Sequence, residues 1–178
     1  MKKIFLLCFL VGVTFLSCSD NIDNPIVSSH SNTDLTSQGQ SFTAKLIDGV
    51  IGDELILNET FNDITGNEIN VYARLRILEN SFPGTVTITM IPNAEDLSIQ
   101  FFPEMTFNRD VRLDLAFTGV DLEALGYTET GTVEFAFFAN NGDTELIESD
   151  ISQVNLPQKK ISVQNAKLNH FSRYGWIR

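Results

Sequence analysis

Hydrophobic and polar residues alternate with a period of two along most of the chain beyond residue 40. The clearest runs are INVYARLRI (69–77), TVTITM (85–90) and VRLDLAF (111–117), in which every second residue is apolar. Because successive side chains of a β-strand point to opposite faces, each run predicts a strand with one buried and one solvated face. Such strands are typical of antiparallel sheets.

Shorter runs fill the rest of this region and are separated by turn signals. Further strands are predicted at FTAKLI, ELILNE, LSIQFF, TVEFAFF, ELIES, SQVNL and ISVQ. The Asn-Gly pair in NNGD (140–143) predicts a hairpin, and GVDLEALGY has room for one helical turn between Asp121 and Gly126. Many short strands with almost no helix predict an all-β fold, an immunoglobulin-like antiparallel β-sandwich that forms a single domain over residues 41–178.

The closing stretch LNHFSRYGWIR is predicted to be the last strand of the sandwich, with Phe171 in the core. Trp176 shares its phase with His170 and Ser172, so a regular strand cannot bury it on the same side as Phe171. We therefore expect either a bulge near Arg173 or an aromatic side chain that stays half exposed.

The first residues have the composition of a secretion signal. Lys2 and Lys3 precede IFLLCFLVGVTFL, an apolar run that is short for a membrane-spanning helix. The run ends in LSC, which resembles the bacterial lipobox with Cys18 as the modified residue. The resemblance implies that residues 1–17 are removed and that Cys18 carries acyl chains, such as palmitate, on its sulfur and its new amino group. An ordinary signal peptide cut nearby and an uncleaved anchor are the alternatives.

Residues 18–40 are predicted to be a disordered tether between the lipid and the sandwich, because they contain few aliphatic residues and many Ser, Asn and Asp. His30 lies in this tether without ligand-like neighbours. Asp20, close behind the cysteine, resembles the export signal of some Gram-negative surface lipoproteins. The expected location is therefore the outer membrane or envelope of a Gram-negative type of cell, with the periplasmic and external faces both open.

Charge and cysteine content narrow the function further. Removal of the signal leaves 10 basic residues against 23 acidic ones, so the mature chain has a net charge of −13. This charge argues against a nucleic-acid partner, which requires a basic surface, and it provides no attraction to anionic lipid. We expect the lipid on Cys18 to make the membrane contact. Cys8 leaves with the signal, so no thiol remains for a disulfide, a nucleophile or a metal.

Three segments together resemble the β-sandwich of the zona-occludens and netrin-receptor (ZU) type and its secreted bacterial relatives. They are TVTITM, SIQFFPEMTFNRDVRLDLAF and the closing LNHFSRYGW, and the likeness covers about the last 110 residues. Asp110 stands where the family pattern has a proline. The resemblance implies a structural or interaction module without enzyme activity. Its closing motif here consists of His170, Phe171, Ser172 and Tyr174.

The same motif raises an alternative. In one eukaryotic branch of this sandwich, the function-to-find domain, His-Phe-Ser is a self-cleavage site. The resemblance then implies that Ser172 attacks the preceding carbonyl with His170 as base, and that the chain is cut between Phe171 and Ser172. In the simpler interpretation Phe171 fills the core and its two neighbours bond to nearby backbone, so no catalytic residue is assigned.

Other chemistry has little support in the sequence. The two histidines lack zinc spacing, and neither a metal nor a cofactor is expected. Carboxylates in the predicted turns could meet around a calcium ion. No DxDxDG loop is present, however, and the ordinary preference of turns for Asp explains these residues. These residues are Asp48, Asp53, Glu54, Asp63 and Asp143.

The expected function is a structural, adhesion or binding role in the envelope, with an unknown protein or glycan as partner. A glycan-binding module of a polysaccharide-uptake system is a further hypothesis, based on the compartment and the aromatic residues. Phe138 bears on it, because this residue alternates out of phase with Phe135 and Phe137 and is expected to face away from them.

Replacing the modified cysteine tests the anchor. Cys18→Ala is expected to leave the protein unprocessed or to release it into soluble fractions, because the domain has no other feature that favours a membrane. Fractionation and intact mass measure this, with Cys8→Ala as the control that should be processed normally. Full membrane retention of processed Cys18→Ala would contradict the lipoprotein assignment.

Overall fold

The computed structural model describes residues 41–62, 66–139 and 141–177. The predicted signal peptide, Cys18, the tether at 18–40 and Asp63 lie outside these described residues. Across the described ranges the chain forms twelve β-strands and no helix. None of these residues belongs to a helix that is long and apolar enough to cross a membrane.

The strands form two antiparallel sheets of six strands each, which pack face to face. The strands are β1 (Thr43–Asp48), β2 (Asp53–Asn62), β3 (Glu68–Ile77), β4 (Thr85–Asn93), β5 (Ser98–Phe102), β6 (Thr106–Thr118), β7 (Gly131–Thr132), β8 (Phe135–Phe138), β9 (Thr144–Leu146), β10 (Ile151–Asn155), β11 (Lys160–His170) and β12 (Arg173–Trp176). Sheet A has the order β1-β4-β5-β12-β8-β9, and sheet B has the order β2-β3-β6-β11-β10-β7. The predicted β-sandwich is confirmed.

The predicted alternation explains how the core is filled. In β3 the side chains of Val71, Ala73 and Leu75 are buried, and in β6 those of Val111 and Leu113 are buried. The intervening residues of both strands point to solvent. When the inner faces of the two sheets pack against each other, these apolar side chains are removed from water. The hydrophobic effect therefore holds the two sheets together.

At the edge of the sandwich formed by β1 and β2, the charged residue Lys45 points inward from the edge strand β1. Lys45 on β1 is in register with buried Ile88, and its Nζ lies 2.8 Å from Asp53 Oδ2 and donates to the carbonyl oxygen of Glu54 at 3.0 Å. The hydrogen bond from Lys45, with a second from the Glu54 N–H, lowers the pKa of Asp53. An inward-pointing charge at an edge opposes pairing with another chain.

The opposite side ends in β9 of sheet A and β7 of sheet B. A groove of about 550 Å³ lies there between residues 131–135 and 146–153. Leu146 and Ile151 are exposed along it. Acidic residues in the lining include Glu134 and Glu148, and charged side chains along an edge oppose edge-to-edge association.

The chain changes sheet repeatedly after residue 131. It crosses between β7 and β8, between β9 and β10, and between β11 and β12. TVEFAFF, predicted as one strand, is therefore divided, with Thr132 in sheet B and Phe135–Phe138 in sheet A. The two sheets face each other, so a crossing reverses which side of the chain points to the core. A single alternating pattern cannot extend across it.

Candidate functional site

The closing stretch lies in two strands, so the prediction of one terminal strand is wrong. Strand β11 ends at His170 in sheet B and β12 begins at Arg173 in sheet A, and Phe171 and Ser172 carry the chain across the sandwich. Strand β12 pairs with β5 on one side and with β8 on the other. It therefore lies in the middle of sheet A.

Phe171 is buried as predicted, with 2% of its surface exposed. Its ring stacks on Phe101 of sheet A with centroids 4.9 Å apart, and it meets Phe107 of sheet B edge-on at 4.6 Å. The Phe171 N–H donates to the carbonyl of Met105 at 2.7 Å, and the Ser172 carbonyl accepts from the Phe101 N–H at 2.9 Å. The Phe171 ring therefore packs against both sheets, while the backbone of the crossing bonds to β5 and to the residue that precedes β6.

Tyr174 and Trp176 are also buried, so the expectation of a half-exposed aromatic is wrong for both. The expected bulge near Arg173 is not where the phase changes. The register of β11 with β6 shifts between Leu168 and His170, and the chain then crosses to sheet A at Phe171 and Ser172, so that Leu168, Phe171, Tyr174 and Trp176 all face the core. Trp176 packs against Phe135 and donates its Nε1–H to the hydroxyl of Ser152 on the facing sheet at 3.1 Å. This bond satisfies a buried indole N–H.

His170 is held by Tyr174. The Tyr174 hydroxyl donates to the carbonyl of His170 at 2.5 Å and lies 3.2 Å from His170 Nδ1, and the imidazole meets Phe137 edge-on at 4.4 Å. Burial raises the pKa of Tyr174, so the hydroxyl remains a donor at neutral pH. No hydrogen bond between His170 and the Ser172 hydroxyl occurs among the described residues. The Tyr174 hydroxyl therefore links the end of β11 to β12.

The carboxylates considered for calcium have separate partners. Asp48 and Asp143 accept hydrogen bonds within turns, whereas Asp53 and Glu54 form ion pairs. Asp63 lies outside the described residues. Within the described ranges, no group of three or more His, Cys, Asp or Glu is placed to hold a metal ion.

The outer face of sheet A carries almost no charge. Strand registers place Ile91, Gln100, Arg173 and Phe138 in one row across β4, β5, β12 and β8. Arg173 and Asp48 are the charged strand residues that point outward from the described part of this sheet. We call this surface the neutral face, and it consists of Leu46, Thr87, Thr89, Ile91, Gln100, Phe102, Phe138 and Arg173.

Phe138 has a fixed position on the neutral face. It points away from the core, as its phase predicted, and the Arg173 guanidinium lies 5.5 Å from the centroid of its ring. A Cβ added to Gly175 would lie 3.2 Å from the same ring, so the glycine in YGW allows the ring to lie across β12. Arg173 is also paired with Asp96 at 3.8 Å.

The outer face of sheet B is charged. Arg74 pairs with Glu54 at 2.6 Å, and Arg76 pairs with Asp114 at 3.4 Å. The charged strand residues that point outward here are Glu54, Glu68, Arg74, Arg76, Asp110, Arg112, Asp114, Lys160 and Lys167. The outer face of sheet B is therefore suited to solvent, whereas the outer face of sheet A has the composition of a contact surface.

No family model, curated protein or solved structure matches this chain. The likeness to the ZU type of sandwich stays a hypothesis. The function therefore has to be inferred from the chemistry of the two outer faces and of the closing stretch.

The sequence contained part of the signal for the neutral face. The outward positions of TVTITM are Thr85, Thr87 and Thr89, whereas the outward positions of INVYARLRI include Arg74 and Arg76. Comparing outward residues strand by strand separates neutral strands from charged ones. It does not reveal which strands are neighbours, because β12 pairs with strands that are remote in sequence.

Substitutions in the closing stretch test its structural role. Phe171→Ala is expected to cost about 3–5 kcal/mol of unfolding free energy, because it leaves a cavity between the sheets. Ser172→Ala is expected to cost less than about 1 kcal/mol, since its hydroxyl has no hydrogen bond among the described residues. Denaturant unfolding measures both changes.

Measurement of the intact mass distinguishes the structural role of the closing stretch from self-cleavage. The structural role predicts one chain that is not cut between Phe171 and Ser172. Recovery of a separate SRYGWIR peptide, with cleavage lost in Ser172→Ala, would instead make His170 a catalytic base.

Proposed function

We propose that this chain is a lipid-anchored protein of the cell envelope that binds a protein partner through the neutral face of sheet A. The observation that carries the proposal is the near absence of charge on this face in a chain whose mature net charge is −13. Acidic residues keep the rest of the surface hydrated and soluble. On the outer face of sheet A, Asp48 at the end of β1 is the acidic strand residue among those described, and this scarcity of acidic side chains marks the face as different in function.

The composition of the neutral face fits protein contact. Such surfaces are poor in Asp, Glu and Lys and rich in aromatic residues and arginine. Phe102 and Phe138 supply aromatic area, and Arg173 is the cation. Leu46 is 65% exposed and Phe102 is 38% exposed. Apolar side chains that are exposed together on one face are typical of an interaction site.

The shape of the neutral face favours a macromolecule over a small ligand. Sites for small molecules are concave, whereas this face is the outside of a sheet. The resemblance to the ZU type, in which the sandwich is an interaction module, supports the same role. A lipid on Cys18 and a flexible tether would keep the domain at a membrane while leaving the face free to reach a partner.

Site-specific photocrosslinking in intact cells tests the proposal. A photoreactive phenylalanine analogue replaces Phe102 on the neutral face, and in a second strain it replaces Tyr72, which is 41% exposed on the outer face of sheet B. We expect a discrete protein adduct from position 102 that does not form from position 72. Adding Leu46→Glu should reduce this adduct at least about tenfold, because a desolvated, unpaired carboxylate opposes association. Ile56→Glu on sheet B is the matched control and should leave it unchanged.

The nature of the adduct decides between occupants. An adduct with a second protein, sensitive to Leu46→Glu, supports the proposal. A protease-resistant, diffuse adduct would replace the protein partner with a glycan, and an adduct of twice the mass would replace it with a second copy of this chain. No adduct, or the same adduct from both positions, would contradict binding through the neutral face.

A further inference from the structure

Three cationic side chains lie side by side on the outer face of sheet B. Arg76 on β3 is in register with Arg112 on β6, and Arg112 is in register with Lys167 on β11. Adjacent strands are about 4.8 Å apart, so these side chains are direct neighbours. Like charges at directly opposed positions destabilise a sheet unless something compensates them.

Two of the three cations have partners within the protein. Arg76 donates to Asn165 Oδ1 at 3.2 Å and lies 3.4 Å from Asp114 Oδ1, and Lys167 pairs with Glu148. Arg112 has neither a hydrogen bond nor an ion pair among the described residues.

Arg112 is nevertheless half-buried. Its Nη1, like Arg76 Nε, is shielded from solvent and has no acceptor in the described part of the chain. A guanidinium is costly to shield from water without an acceptor, so these N–H groups have unused capacity to donate.

A bulge in β11 explains why the neighbouring carboxylate does not serve Arg112. The register of β11 with β6 shifts between Val163 and Ala166, and Asn165 adopts a left-handed conformation with φ 55°. The Asn165 N–H donates to Asp114 Oδ1 at 2.8 Å, the same oxygen that faces Arg76. Asp114 is therefore held by the bulge, and bulges are frequent where a strand redirects side chains towards a site.

We propose that Arg76, Arg112 and Lys167 form a binding site for a single oxyanion group, a carboxylate, sulfate or phosphate. The guanidinium of Arg112 presents a planar fork of N–H donors that matches two oxygens of such a group. Arg76 Nε is a second donor without an acceptor, and Lys167 adds positive charge. The bound group supplies the negative charge that Arg112 lacks. This site is separate from the neutral face and does not depend on the proposed protein partner.

The surroundings of the site limit the kind of anion. Acidic residues lie on its margins. Glu54 is in register with Arg76, Glu148 is paired with Lys167, and Asp110 precedes Arg112 by two positions in the same phase of β6. A polyanion or an anionic membrane would be repelled by these carboxylates and by the net charge of the protein. The site therefore fits one acidic group, either free or carried by an otherwise neutral molecule.

NMR of the arginine side chains tests the site. Sodium sulfate, phosphate and acetate are titrated separately into the 15N-labelled protein in detergent at constant ionic strength, with chloride as the reference salt. We expect the Nε–H signals of Arg76 and Arg112 to shift saturably, while those of exposed Arg109 and of Arg173 do not. Arg112→Gln should weaken binding at least about tenfold, as expected for loss of a forked, charge-assisted contact. Arg109→Gln on the same strand is the control and should change it less than about twofold.

A second variant and two polyvalent anions complete the experiment. Arg112→Lys retains the charge without the fork and should bind with intermediate affinity, and it replaces Arg112→Gln if that variant does not fold. Alginate and phosphatidylglycerol vesicles should bind no more tightly than the free anions. Tighter binding of either that depends on Arg112 would overturn the restriction to a single group. Absent or non-saturating shifts, or shifts unaltered in Arg112→Gln, would overturn the site and leave Arg112 a packing residue.

Discussion

Sheet A is held together by β12, a strand of four residues at the end of the chain. In the strand order β1-β4-β5-β12-β8-β9, the neighbours β5 and β8 are joined through β12. Without it, the sheet would fall into a three-stranded piece and a hairpin, each with an unpaired edge. Its insertion is fixed by burial of Tyr174 and Trp176 and by the crossing at Phe171, whose ring contacts both layers.

The neutral face depends on this insertion. The row that contains Gln100, Arg173 and Phe138 spans β5, β12 and β8, so its side chains become neighbours only when β12 is in place. Gly175 and Arg173 then set the position of the Phe138 ring. The His-Phe-Ser motif is part of the same arrangement, because Tyr174 of β12 bonds to His170 at the end of β11. The motif that raised the question of self-cleavage therefore also links the two sheets.

Local pattern predicted much of the fold. Period-two alternation predicted β3, β4 and β6, the all-β sandwich, the burial of Phe171 and the outward direction of Phe138, because these depend on the geometry of single strands. The assignment of strands to sheets did not follow, since it depends on pairing between remote segments. The phase conflict between Phe171 and Trp176 was visible, yet a bulge and a crossing produce the same change of phase. The isolation of Arg112 was not predictable either, because it results from the position of the bulge at Asn165.

Native-state hydrogen exchange of β12 tests the central claim most directly. If β12 joins the two parts of sheet A, its amides should exchange only through global unfolding, with a free energy within about 1 kcal/mol of that for the central amides of β6. Exchange of the β12 amides through a much smaller opening, while β5, β8 and β6 remain protected, would contradict the account. Sheet A would then be stable without its last strand.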